Sequence, residues 1–483
     1  MVAGGAPVRV EVLLDEAMRA QPDATVLLHG ARTWTYRALR AEMARRGAVL
    51  RGAGLVAGTV VLSTERVSDE VLVSCLACCR ADVVFCHLSP HYTAAELLPL
   101  ATRAGARVVL TADGTAHPLL PDLPALPIDL PGEPAGGAAT GEPEASGSAE
   151  ATALLAATSG TTALLPKLAI IPHRALTWRR HLPTWAEARP GAVASTMLSL
   201  KGLVHQFCIA VAQGNPFVVP SSAAPARLER ELARHGVVDF LTQPSLLNVL
   251  LENPQPPPDE LRLRTIRSGS STLSPDVAQR IAARYQARVI ETYSSTESSQ
   301  CIGIPEAGAP PGSIGTPFAG VAVRIVDPDG CDVPEGEVGE LIVQHPGIMG
   351  GYLGDEAATA LAIRDGWYWS GDLARRDAAG FFYLAGRRAA VLNVGGYKVS
   401  PEEVEAVLLQ HPGVREAVVV PQPDAKRGEI ARAVIVPRGV PPTPTELRRF
   451  CLARLARYKV PRRWEFRDDL PRSPLGKVLR QRL

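Results

Sequence analysis

Thr158-Ser159-Gly160-Thr161-Thr162-Ala163-Leu164-Leu165-Pro166-Lys167 is the stretch whose reading decides the fold. Leu154, Leu155 and Ala156 precede it and the apolar run 168–171 follows, so it reads as a loop between two strands buried in a sheet. Four hydroxyls surround one glycine, and a lysine closes the loop. Backbone N–H groups and hydroxyls in such a loop suit anionic oxygens, and the lysine adds charge, which is phosphate chemistry. The nucleotide loop G-x-x-x-x-G-K-[ST] is absent here, and taken alone the stretch also fits an ordinary Ser/Thr turn.

Composition narrows the field. At 483 residues the chain has room for about three domains. Its 51 basic and 49 acidic residues are scattered rather than blocked, which leaves no electrostatic footprint for nucleic acid or an anionic membrane. Small molecules are the expected partners. Residues 1–10 lack a basic leader with an apolar core, and the longest apolar stretch, 71–88, is broken by Arg80 and Asp82, so the expected location is cytoplasmic. Cys75, Cys78, Cys79 and Cys86 mimic a C-x2-C metal pair beside His87. Their neighbours Leu76, Ala77, Val83, Val84 and Phe85 instead predict small buried side chains on a helix and its following strand.

Along the chain, helical patterns alternate with short β-branched runs such as 59–62 and 107–111, the signature of an α/β layer. Residues 130–150, rich in Gly, Pro, Ala, Ser and Glu, predict a surface loop that feeds the Ser/Thr stretch. A second α/β series carries runs at 217–219, 238–241 and 289–290. The last leads into Glu291-Thr292-Tyr293-Ser294-Ser295-Thr296-Glu297, an aromatic, hydroxyls and a carboxylate at a strand end, where open parallel sheets bind ligands. A carboxylate there can hold the Mg²⁺ of a polyphosphate, although Glu297 alone also reads as a solvated loop acid. Residues 315–380 change to short alternating strands, a β-rich subdomain containing Trp367-Tyr368-Trp369-Ser370-Gly371-Asp372, with Asp372 a partner for ribose hydroxyls. From about Arg388 a small α+β domain begins, with capping boxes at Ser400-Pro401-Glu402-Glu403 and Thr443-Pro444-Thr445-Glu446. It closes on a loop, 471–477, that presents Lys477, which alone reads as a surface lysine.

In this order these segments resemble the adenylate-forming (ANL) superfamily of acyl- and aryl-CoA synthetases, nonribosomal peptide adenylation domains and luciferases. The resemblance runs from the region of Thr35, Tyr36 and Leu39 to Arg480, and Pro166-Lys167-Leu168-Ala169-Ile170-Ile171-Pro172 looks closest to bacterial aryl-CoA ligases of the 4-chlorobenzoate type. It implies an α/β fold with a large N-terminal adenylate- and acid-binding domain, 1–387, and a mobile α+β lid domain, 388–483. The implied enzyme is an acid–thiol ligase that forms an acyl-adenylate from ATP and a carboxylic acid, then turns its lid so that CoA displaces AMP. Mg²⁺ accompanies the ATP.

Carried over by position, Thr158, Ser159, Gly160, Thr161, Thr162 and Lys167 form the phosphate loop, and Ser270 and Ser271 flank an adenine stacked on Tyr293. Thr296 meets the α-phosphate, Glu297 the metal, and Asp372 and Arg387 the ribose. Lys477 resembles the adenylation lysine, whose charge stabilises the approaching α-phosphate and carboxylate oxygens. Gly395 and Gly396 would line the pantetheine tunnel, with Lys398, Arg427 and Arg462 toward the CoA phosphates and Arg388 and Ala389 at the hinge. Gly202, His205 and Ser294 would line the acid pocket.

Four departures stand out. The family loop T-S-G-T-T-G-x-P-K has gained a residue and lost a glycine at Ala163-Leu164-Leu165. Ala389 replaces the polar hinge residue, and Ser370 replaces the threonine before Gly-Asp. Gly202 stands where an aromatic or histidine closes the acid pocket, so a bulky acid, alicyclic or terpenoid and of secondary metabolism, is expected. The altered loop raises a further expectation, that adenylation is impaired and the enzyme chiefly thioesterifies an adenylate supplied by a partner adenylating enzyme. Two rivals are a stand-alone adenylating enzyme that loads a carrier protein and a catalytically silent adenylate-binding protein. An amino-acid substrate would need an acidic residue in 196–202, and none is present. A homodimer is left open.

Overall fold

A computed structural model describes residues 6–131, 147–158, 166–180, 191–196, 199–269, 273, 275–305, 308–310, 312–387, 392–394, 397–399, 401–424, 428–455, 457–472 and 478–483. Two large sheets dominate it. One has nine strands in the order Thr316–Pro317, Ser299–Gly303, Arg288–Ser295, Thr265–Ser268, Val237–Thr242, Ala192–Ser195, Phe217–Val218, Thr25–His29 and Arg32–Thr35. Its inner six strands run parallel and its edge strands antiparallel. The other has seven strands, with Gly351–Tyr352, Leu168–Pro172 and Thr152–Ala157 leading into the parallel run Val84–His87, Val60–Ser63, Ala106–Thr111 and Ala125–Pro127.

Consecutive apolar residues in these strands serve opposite faces. Leu27, Val193 and Leu154 enter a core between the sheets, filled by helices Val10–Ala20, Tyr36–Gly52, Asp69–Arg80 and Leu200–Ala212. Their neighbours Leu28 and Ala194 turn outward onto helices Pro225–Arg234, Pro244–Leu251 and Pro275–Tyr285. Leu155 packs likewise on the outer side of the second sheet, beside helix Ala94–Ala104. The result is five layers, helix, sheet, helix, sheet, helix, which is why the strands read as unbroken apolar runs.

The β-rich segment adds the sheet Ala322–Val326, Gly339–Gln344, Trp367–Arg376 and Ile363–Arg364, with Phe382–Arg387 paired to Trp367–Arg376. Ile325, Leu341, Tyr368 and Phe382 belong to the central core. Beyond it, Leu392–Val394, Tyr397–Val399, Val414–Asp424, Gly428–Pro437 and Arg463–Phe466 form a separate sheet, and its two core clusters contain only residues from Leu392 onward. Cys75, Cys78, Cys79 and Cys86 are buried free thiols, as their apolar neighbours predict. No described helix is long and apolar enough to cross a membrane.

Candidate active site

Strand direction decides where the chemistry-bearing residues gather. Thr152–Ala157 ends at Thr158, Thr265–Ser268 at Gly269, Ala192–Ser195 at Thr196, and Arg288–Ser295 at Thr296 and Glu297. All are carboxyl ends of strands in the two sheets, the place where open α/β sheets receive ligands.

The phosphate-type loop is the turn of a hairpin. Thr152–Ala157 and Leu168–Pro172 pair antiparallel, and the N–H of Thr158 donates to the carbonyl of Lys167 at 2.8 Å, so the loop is closed at its base. Thr158 is buried there. Lys167 holds its ammonium 4.8 Å from the centre of the Tyr352 ring and 3.9 Å from the Asp355 carboxylate. The Tyr352 hydroxyl in turn donates to Glu297 Oε1 at 3.0 Å. Two backbone pairings bring these groups together, Tyr352 opposite Ala169 and the Met349 N–H on the Glu297 carbonyl at 2.7 Å. Burial, and then the neighbouring Glu297 charge, push the Tyr352 phenol up, so it stays a donor. Tyr352 and Asp355 were not anticipated from the sequence.

A second group lies on the β-rich sheet. Asp372 and Arg387 face each other in register, with Arg387 Nε 2.6 Å from Asp372 Oδ1. Tyr293, buried, donates its hydroxyl to Asp372 Oδ2 at 2.5 Å. Burial raises the Tyr293 phenol, and the Asp372 charge adds to the effect. Burial works against the Arg387 cation, but Asp372, Tyr293 and Tyr368 together outweigh it and the net shift is upward. Gly371 has φ +72°, a left-handed turn that a side chain would strain, and the Asp372 N–H lies 3.0 Å from Ser370 Oγ. A fixed carboxylate beside a guanidinium and a phenol ring suits a ribose with a flat base beside it.

Glu297 fits a nucleotide-borne Mg²⁺. No protein hydrogen bond among the described residues reaches its Oε2, and no cluster of three metal-binding side chains occurs among them. Mg²⁺ is commonly held by one or two carboxylates plus substrate phosphates, which is the role one free carboxylate oxygen can fill.

Thr296 and Ser294 are half-buried, and Ser294 pairs with Gln300 in the sheet. Gly202 lies half-buried in the first turn of helix Leu200–Ala212. His205, one turn on, is buried, with Nδ1–H donating to the Leu176 carbonyl at 3.0 Å and Nε2 without a partner among the described residues. Arg462 is exposed and donates its backbone N–H to Ala431. Ser159, Gly160, Thr161, Thr162, Ser270, Ser271, Arg388, Ala389, Gly395, Gly396, Arg427 and Lys477 lie outside the described residues, and Lys398 is described in its backbone alone. The ends of the Lys477 loop are placed by an antiparallel bridge between Arg472 and Val478. Arg179 and Lys201 were also passed over in the sequence. A lysine inside the otherwise apolar run 200–204 was the available signal.

Comparison with known proteins gives the family. The family model for AMP-binding enzymes matches residues 14–353, and that for the AMP-binding enzyme C-terminal domain matches 403–477. The chain belongs to the AMP-binding enzyme family. A feruloyl-CoA synthase of Amycolatopsis sp is 30% identical over 471 residues, 96% of each chain. A sulfoacetate–CoA ligase of Cupriavidus necator is 35% identical over 353 residues, 69% of this chain and 67% of that one. Among solved structures, the O-succinylbenzoate coenzyme A synthetase of Bacillus subtilis in complex with AMP superposes with a TM-score of 0.86 at 25% identity, covering 98% of this chain and 97% of that one. The adenylate-forming enzyme is thus an acid–thiol ligase of the AMP-forming class, with a large N-terminal α/β domain and a small C-terminal domain.

Proposed function

We propose that this enzyme activates a small carboxylic acid as its acyl-adenylate and passes the acyl group to the thiol of CoA. In the first step a carboxylate oxygen bonds to the α-phosphorus of ATP as pyrophosphate leaves. In the second the CoA sulfur bonds to the acyl carbon, AMP leaves, and the thiol proton goes to solvent. The observation that carries this reading is the Tyr293–Asp372–Arg387 group together with Glu297 and Thr158, just beyond the carboxyl ends of their strands, and Tyr352, which links Glu297 to Lys167.

Tyr293, Asp372 and Arg387 are assigned to the AMP portion, Thr296 to the α-phosphate, and Thr158 to Thr162 with Lys167 to the departing phosphates. Ser270 and Ser271 are assigned to the adenine edge, Lys477 to the adenylation step, and Gly395, Gly396, Lys398 and Arg427 to CoA. When Mg²⁺ is present with ATP, Glu297 would hold it and the ion would neutralise phosphate charge. The domain boundary is placed at 387/388, with Arg388 and Ala389 as the pivot. Relatives named for feruloyl and sulfoacetyl transfer differ too much in their acids for kinship to name this one.

The extra residue in Ala163-Leu164-Leu165 favours a second reading, that the loop closes poorly over the distal phosphates and the first step is slow. The adenylate has already lost those phosphates, so thioester formation would be spared. Supplying acid with ATP, and separately synthetic acyl-adenylate with CoA, tests both readings by mass spectrometry. Under the ligase reading, CoA thioester forms from the adenylate. A slow first step would show as little pyrophosphate from acid and ATP, raised at least about tenfold by shortening Ala163-Leu164-Leu165 to Gly-Leu, since donors misplaced by an ångström lose much of their effect. Thioester on a carrier protein but never on CoA would contradict the CoA assignment.

A further inference from the structure

Behind Glu297 the protein buries positive charge that it does not balance. Lys201, only 4% exposed, places Nζ 2.6 Å from Ser299 Oγ, and Ser299 Oγ donates onward to the Gly347 carbonyl. Arg179, 3% exposed, lies with its guanidinium carbon 4.1 Å from the Phe318 ring centre and 5.7 Å from that of Trp178. Arg179 Nε and Trp178 Nε1 have no hydrogen-bond partner among the described residues. Neither Lys201 nor Arg179 has a carboxylate at ion-pair distance among the described residues.

The surroundings supply little of the missing charge, since Glu297 acts on Lys201 only from beyond ion-pair distance and no carboxylate among the described residues acts on Arg179. His205 and His345 stay neutral, because burial and then the cation Lys201 hold both imidazoles far below their ordinary value. Burial keeps the Cys301 thiol protonated, with its value raised to about 11. Arg267, whose charge acts on Arg179, is already matched by Asp239 at 2.8 Å. Burial lowers Arg179 to about 9 and Lys201 to about 8, and both remain largely cationic at neutral pH. Unpaired buried cations are costly, and arginine does not escape by losing its proton. A guanidinium flanked by aromatic faces keeps its N–H edge for an in-plane acceptor.

From these residues we infer that the acid substrate carries a second anionic group, such as a distal carboxylate, which pairs with Arg179 and Lys201. The inference rests on the ligase reading and names the substrate class of the same site. The reacting carboxylate cannot be the lasting partner, because adenylation converts it into an uncharged acyl group. A second anion persists through both steps. Gly202, the position assigned to the acid pocket by resemblance, is adjacent to Lys201, and the far end of the substrate is acidic rather than pure hydrocarbon.

Paired probes of matched length test this, adipate against hexanoate and terephthalate against 4-methylbenzoate. With the full-length enzyme, ATP and CoA, kcat/KM for at least one dianion should exceed that of its monoanionic match by about 100-fold, the range set by charge-assisted hydrogen bonds to buried cations. Arg179→Met and Lys201→Met should each shrink that ratio by about tenfold or more. Dianions should also raise the melting temperature of the wild-type enzyme without ATP, monoanions should not, and Arg179→Met should abolish the shift. Because that binding measurement needs neither turnover nor a variant, it separates the two ideas. Adenylation of monoanions and dianions at equal rates would overturn the inference and leave the ligase reading standing. A dianion-specific melting shift with neither pyrophosphate release from acid and ATP nor CoA thioester from the synthetic acyl-adenylate would uphold the anion site and sink the ligase reading, and absence of any shift or preference would overturn the inference.

Discussion

Buried ionisable residues in this protein separate into those with partners and those without, and the difference is measurable. Glu291, next to Ser268 across two parallel strands, accepts the Leu273 N–H at 3.2 Å. Burial pushes its carboxyl from 4.5 up to about 7, with the Leu273 N–H pulling the other way. Between those values the folded chain holds a proton that the unfolded chain has released. Stability from this group is therefore present at low pH and lost as pH rises through about 7. Glu291→Gln cannot titrate, so wild type and variant should melt together near about pH 5, with the wild type falling behind by about pH 8. A melting difference that stays flat between those pH values would contradict the assignment. Sequence reading at this scale found Tyr293, Glu297, Asp372 and Arg387 because each sits in a short local motif, Glu291-Thr292-Tyr293-Ser294-Ser295-Thr296-Glu297, Ser370-Gly371-Asp372 or Gly386-Arg387. It passed over Tyr352, Lys201 and Arg179, whose importance comes from contacts across 55, 98 and more residues that no local pattern encodes.

Elements were legible where local chemistry alone sets them. Thr443-Pro444-Thr445-Glu446 reads as a helix start, and in helix Pro444–Leu452 the Thr443 hydroxyl accepts the Glu446 N–H at 3.3 Å while the Glu446 carboxylate accepts the Thr443 N–H at 2.8 Å. Thr443→Ala removes one of these bonds and should cost about 1 kcal/mol. Hydrogen exchange in the full chain should then speed at the Glu446 and Leu447 amides by roughly fivefold, and unchanged exchange would show that packing of Leu447 alone holds the turn. The hairpin around Thr158 was legible for a similar reason, since two apolar runs bracket a run of hydroxyls. Pairing of Leu168–Pro172 with the distant Gly351–Tyr352 was not, because two residues, Gly351 and Tyr352, carry no strand pattern of their own.

For the molecule as a whole, the open question is whether the C-terminal region is a separate folding unit or a lobe of the larger core. The sequence points to a boundary at the change from glycine-punctuated strands to capped helices, and the hydrophobic clusters are the structural observation that bears on the proposed boundary. Val404, Leu408, Val419, Ala433, Ile435 and Leu447 pack on one face of its sheet, Val418, Val420, Val434, Val436 and Leu470 on the other, and no residue before Leu392 enters either cluster. The β-rich segment behaves differently, since Ile325, Leu341 and Phe382 are built into the central core and could not leave it without exposing apolar surface. The tail is also tied internally, with Arg480 gripping Glu405 through two bonds of 2.6 and 2.8 Å and donating to the Val419 carbonyl at 2.8 Å. The proposed turning of this region between the two half-reactions would need such independence, because its own core would have to survive each change of interface. Residues 388–483 produced alone should therefore fold. Trp464, the one tryptophan in that stretch and partly buried against its core, gives the readout. A cooperative urea transition in Trp464 fluorescence is expected, whereas a fragment with a solvent-exposed tryptophan and no transition would show that the lid draws its stability from the larger domain.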